Sequence, residues 1–89
     1  MPANLERLFR EGDDFILRRP QTSQGGINWM QGSRFRIHDA EARTAHWGET
    51  WYYSLVRVDS DGIACDSSDP KNVLVLSQGK VKQEMRRVS

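Results

Sequence analysis

Trp47-Gly48-Glu49-Thr50-Trp51-Tyr52-Tyr53-Ser54-Leu55-Val56-Arg57-Val58, closed by Asp59-Ser60-Asp61-Gly62, is the stretch on which the reading of the fold turns. Aromatic and β-branched residues suit a pleated, half-buried surface, and Asp-Gly is a short-range hairpin signal. The run predicts one long strand that turns back on itself. Its alternation places Trp51, Tyr53 and Leu55 on one face and Tyr52, Val56 and Val58 on the other. Apolar residues on both faces imply burial on both sides, or a bend near Ser54 of the kind that small barrels use.

Working outward, Ile63-Ala64-Cys65-Asp66 is the expected return strand, and Ser67-Ser68-Asp69-Pro70 a turn. Asn72-Val73-Leu74-Val75-Leu76 then reads as a continuous apolar strand. In the tail, Val81, Met85 and Val88 stand at i, i+4 and i+7, which favours a helix capped by Ser77 over a last hairpin turning at Gly79. Upstream, Ser33-Arg34-Phe35-Arg36-Ile37-His38 alternates, with Phe35 and Ile37 inward and Arg34, Arg36 and His38 outward. Asp39-Ala40-Glu41-Ala42-Arg43-Thr44-Ala45-His46 has good helix formers but no apolar stripe, and is expected to be a loop with at most one helical turn. Asp14-Phe15-Ile16-Leu17-Arg18-Arg19 is a strand stopped by Pro20, which cannot donate to a ladder. Residues 21–28 are loop-like, with Gly25-Gly26 as a hairpin turn or mobile tip. At the N-terminus, Leu5, Leu8 and Phe9 form one stripe between Asn4 as N-cap and Gly12 as C′, which predicts a short helix.

The fold class expected is therefore mainly β, with a minor α component and residues 1–89 as a single domain. About five short strands with brief terminal helices fit a small SH3-like barrel or a strongly curled antiparallel sheet. That comparison rests on size and strand rhythm alone.

A chain of 89 residues, 37% hydrophobic, builds one thin core in which the aromatics carry a large share. Cys65 is the only cysteine, so no intramolecular disulfide forms. This favours a reducing compartment, and with no secretory h-region or long apolar run the expected location is cytoplasmic, away from membranes. The net charge of +1 conceals an acidic middle between basic ends. Those ends either neutralise the middle across a sheet or form a basic face for an anionic partner.

Chemistry is sparse. Asp59-Ser60-Asp61-Gly62 resembles the middle of a calcium loop, but the required flanking places hold Arg57 and Ser68, which leaves a hairpin turn. His38, His46 and Cys65 lack the close-pair spacing of a zinc site, and no phosphate-cradling glycine motif is present. No cofactor, metal or catalytic residue is assigned. Cys65 alternates in phase with Ile63, which predicts a buried, inert thiol.

The expected function is thus non-enzymatic: a small binding module of adaptor or inhibitor type that docks on a larger protein through an aromatic–arginine surface. Trp29 and Trp47 flank glycine-containing loops, Tyr52 follows Trp51, and Arg34 and Arg36 share a strand face. Tryptophan and tyrosine beside arginine is the usual composition of a binding hot spot. The alternative is a nucleic-acid-binding small β-barrel that uses Arg34, Arg36, Lys80, Lys82, Arg86 and Arg87 on phosphates. The oligomeric state expected is a monomer or an edge-paired homodimer.

Overall fold

A computed structural model describes residues 6–46 and 48–88. The chain is mainly β. In order it forms β1 (Asp14–Leu17), β2 (Gln21–Thr22), β3 (Asn28–Trp29), β4 (Arg34–Ala45) and β5 (Gly48–Val58). A 3-10 turn (Pro70–Asn72), β6 (Val73–Ser77), α1 (Gln78–Glu84) and β7 (Met85–Val88) follow. Five strands make one antiparallel sheet in the order β6-β5-β4-β1-β7, and β2 and β3 make a separate two-stranded ribbon.

The core lies on one face of this sheet, called the inner face below. Phe15, Leu17, Phe35, Ile37, Tyr53, Leu55 and Leu74 are buried there, and Val81 of α1 and Met85 of β7 close over them. Phe15 stands opposite Phe35, and Ile37 opposite Leu55, so the two alternations interlock in register. Trp51 and Tyr53 share this face as expected, but Tyr53 is the enclosed ring (0% exposed) while Trp51 is half-buried at its margin.

The ribbon reaches back to the edge strand β6. Gln24 N–H donates to Val73 O at 2.8 Å and Gly25 N–H to Pro70 O at 2.9 Å. Gly25 is needed there, because a Cβ would lie 2.7 Å from the Lys71 backbone nitrogen. Gly25-Gly26 therefore falls in the turn of the β2–β3 hairpin.

The expected loop at residues 39–46 is instead the outer half of β4, paired with β5 down to Ala45 opposite Gly48. A β-bulge between Ile37 and Asp39 restarts the alternation. β5 holds this segment extended although its inner face offers only small side chains, of which Ala40 packs against the core. The N-terminal helix is not formed in residues 6–12; Asn4 and Leu5 lie outside the described residues. Two helical turns alone are marginal, and here the extended chain finds partners instead. Phe9 packs edge-on against Phe15 and Tyr53, and Leu8 N–H donates to Gln78 Oε1. The Asp59–Gly62 turn forms, with Gly62 at φ +79°, but its return strand shrinks to a single bridge, Val58 to Ala64. Ile63 is exposed and Cys65 is half-buried rather than enclosed. The tail is a helix capped by Ser77, whose Oγ accepts from Lys80 N–H, but it ends at Glu84 and the chain continues as β7.

Candidate functional site

Beyond Ile37 and Tyr52 the β4–β5 hairpin outruns its neighbours. β1 pairs with β4 only over Arg34–Arg36, and β6 pairs with β5 only over Tyr52–Val56. The remaining half of the hairpin forms an arm on a molecule 44 Å long and 22 Å thin. Each face of the arm carries an aromatic ring under a guanidinium. On the outer face the Arg43 guanidinium lies 4.4 Å above the Tyr52 ring and also bonds Glu41, its Nε donating to Glu41 Oε1 at 2.8 Å. On the inner face Arg7 lies 5.5 Å from the Trp51 ring. Such contacts fix the side chains while leaving part of each ring at the surface.

The register carries the outer face on toward the base of the sheet. Glu41 and Tyr52, Arg36 and Val56, and Arg34 and Val58 are directly opposed pairs, and β5 has no bulge between them. Arg34 and Arg36 thus share a face with Tyr52. Val56 and Val58 are buried on that face beneath the arginine stems opposite them. The guanidiniums converge on Asp14 of β1. Arg34 Nε donates to Asp14 Oδ2 at 2.8 Å, and Arg36 Nε to Oδ1 at 2.6 Å with its Nη2 to Oδ2 at 3.0 Å. Arg36 also reaches Gly62 O at 3.3 Å. The Arg36 hydrogen bond, with Arg34 beside it, holds the Asp14 carboxyl below the usual carboxylate range against the opposing effect of burial. Asp14 in turn raises Arg36. The two arginines are preorganised rather than freely solvated, with side chains 41% and 31% exposed.

Next to them Ile16, Leu17, Arg18, Arg19, Gln31, Gly32 and Arg86 line an open cleft of about 520 Å³. Arg19 lies 3.7 Å from Glu84, whose second carboxylate oxygen is buried without a partner. Arg86 stands opposite Ile16, as Arg34 does on the other side, so this arginine continues the same face.

The remaining sequence-derived residues divide. Trp29 lies on the inner side, half-buried, with Nε1–H donated to Lys71 O at 2.9 Å and its ring edge-on to Phe35. Arg57 covers it at 4.7 Å. Its contacts tie the ribbon to the sheet. Trp47 lies outside the described residues. Arg87 stands opposite Phe15 and pairs with Asp13 at 3.2 Å. Lys82 lines a second groove with Phe15, Val81 and Met85, away from the Arg34–Arg36 face. Lys80 is exposed in the first turn of α1. Of the six cations of the nucleic-acid alternative, Arg34, Arg36 and Arg86 share the outer face, while Arg87 lines one groove with Arg34 and another with Lys82. The sequence pattern does not point to Arg18 or Arg43: only the fold brings Arg18 beside Arg86, and only pairing with β5 sets Arg43 over Tyr52.

Among the described residues no group of three or more His, Cys, Asp or Glu is placed to hold a metal ion. Asp59 Oδ1 accepts from the backbone of Asp61 and Ile63, the geometry of a turn. Among those residues no helix is long and apolar enough to cross a membrane. Comparison with protein-family models, curated proteins and solved structures gives no significant match.

Proposed function

We propose that this protein is a non-enzymatic binding module, of adaptor or inhibitor type, that docks on a larger protein through the outer face of its sheet. Tyr52 under Arg43 is the aromatic anchor, and Arg34, Arg36 and Arg86 supply a basic rim. The observation that supports this most is the alignment of Tyr52, Arg34 and Arg36 on one face of the β4–β5 hairpin, whose outer half extends past β1 and β6. An acidic partner surface suits the arginines, and an apolar pocket suits the ring. In this reading the sheet is a small SH3-like barrel left open between β6 and β7. The β2–β3 ribbon bridges one end, and α1 connects the two edge strands.

The nucleic-acid reading keeps one observation in its favour: Arg18, Arg19 and Arg86 line one cleft next to Arg34. The two separate by salt. Binding that rests on several phosphates weakens about 10³-fold or more between roughly 50 and 200 mM salt, whereas an aromatic-anchored contact loses far less. The expected result is nuclease-resistant capture of a protein from the native lysate, salt-tolerant and lost in Tyr52→Ala. Capture of nucleic acid alone, unaffected by Tyr52→Ala, would overturn the reading.

A further inference from the structure

We propose that the free edge of the arm pairs with the same edge of a second copy of the chain, in antiparallel register about a two-fold axis through Ala42. The pairing uses the same arm as the proposed docking face, but it does not depend on which larger partner that face grips.

Ile37 spends its backbone groups on the β1 side: its N–H donates to Asp13 O and its C=O accepts from Gly12 N–H. Its pairing with Leu55 is therefore a non-hydrogen-bonded one. Counting two residues at a time along unbulged β5, Tyr53, Trp51 and Glu49 are in the same phase. Their partners Ala40, Ala42 and Thr44 must then turn N–H and C=O away from β5. β1 does not reach that far, so among the described residues this edge has no strand partner. Ala40 N–H donates to the carboxylate beside it, Asp39 Oδ1 at 2.9 Å.

A strand edge of this kind is a template for another strand, and its side chains decide which one. Reversed onto itself about Ala42, the segment Asp39-Ala40-Glu41-Ala42-Arg43-Thr44-Ala45 sets Ala42 against Ala42, Ala40 against Thr44, and Glu41 against Arg43 twice. The outward-pointing residues become the bonded pairs. Ala42 exchanges two hydrogen bonds with its copy, and each Ala40–Thr44 pair exchanges two more. The Glu41–Arg43 pairs fall at non-hydrogen-bonded positions, where opposed side chains come closest. Neighbouring registers are worse. Centring on Glu41 or Arg43 opposes like charges, and centring on Ala40 sets Asp39 against Glu41 and runs into the bulge. The Glu41–Arg43 bond within each strand becomes a four-charge cluster on the outer face, and the two Tyr52 rings end on one continuous surface.

Sedimentation of the purified full chain between about 1 μM and about 1 mM tests this without any other partner. The wild type is expected to self-associate within that range. Glu41→Arg and Arg43→Glu each turn both attractive pairs repulsive and are expected to weaken the dimer about tenfold or more. The double swap E41R/R43E restores opposite charges across the axis and is expected to recover it. In a Cys65→Ser background, Ala42→Cys is expected to oxidise to a covalent dimer, because bonded antiparallel pairs place Cα atoms about 5.5 Å apart, while Thr50→Cys does not. A wild type that stays monomeric throughout would overturn the proposal. So would a dimer indifferent to the single reversals, or one that the double swap does not recover. Monomeric behaviour together with capture of a larger protein would sink the pairing and leave the docking surface standing.

Discussion

Replacing Tyr53 by alanine is expected to be among the most destabilising single changes in the chain, lowering its unfolding free energy by several kcal/mol, about 3–5. The ring is fully enclosed at the centre of the core, against Phe9 and between the neighbours that Ala40 and Leu76 supply in register. Truncating a buried aromatic costs about 3–5 kcal/mol, because the cavity it leaves collapses only in part. Total stability for a chain of this size is of order 4–13 kcal/mol, so one such loss removes a large fraction. The hydroxyl adds a second effect. Tyr53 Oη donates to Gln78 Oε1 at 2.6 Å and accepts from Phe9 N–H at 3.3 Å, joining the start of α1 to the N-terminal segment. Tyr53→Phe keeps the ring and is expected to cost about 1–2 kcal/mol through these bonds alone. Urea unfolding followed by tryptophan fluorescence measures both. A Tyr53→Ala cost below about 1 kcal/mol would show that the core is centred elsewhere.

Asp14→Asn is expected to destabilise the fold by about 2–4 kcal/mol at neutral pH, through loss of the carboxylate that holds Arg34 and Arg36. The pH dependence follows from the direction of the shift. A carboxyl whose pKa is lower in the folded state adds stability above its unfolded value, near 3.9, and that contribution fades as pH falls through the lower folded value. The gap between wild type and Asp14→Asn should therefore be full at neutral pH and narrow below about pH 4. The raised Arg36 contributes no slope there, since arginine remains charged throughout. A gap that is constant from neutral to strongly acid pH would mean that Asp14 acts by shape and not by charge.

How far these features could be read from the sequence depended on whether their causes were local. Ser77 as a cap, the Asp59–Gly62 turn and the alternation of Phe35 and Ile37 are set within a few residues, and all were legible. Residues 39–46 were not. Alanines on one face and a Glu–Arg pair on the other give no β pattern, and only pairing with β5 makes them a strand. Tyr53 and Trp51 share a parity, so alternation alone could not choose between them. The choice was made by β6 and α1, which cover Tyr53 and stop short of the arm. In the tail, Met85 meets the core equally well as the second residue of the Val81–Met85–Val88 helical stripe or the first of a strand, and pairing with Leu17 decided for the strand. The clamp on Asp14 left a trace: Asp14 precedes Phe15 as Arg34 and Arg36 flank Phe35, so setting the two phenylalanines opposite each other brings the charges together. Three of the five expected anchors, Arg34, Arg36 and Tyr52, share the outer face, while Trp29 is drawn to the other side by the ribbon.

The outer face of the arm is proposed as the surface on which a larger protein binds. Photo-crosslinking in native lysate tests it most directly, with a photoreactive phenylalanine placed in turn at Thr50, Tyr52, Met30 and Ile63. Among the described residues, Met30 and Ile63 are the most exposed large apolar side chains outside the arm, at 64% and 62%. Discrete adducts heavier than a doubled chain are expected from positions 50 and 52, with positions 30 and 63 silent. Adducts from Met30 or Ile63, with the arm silent, would contradict it.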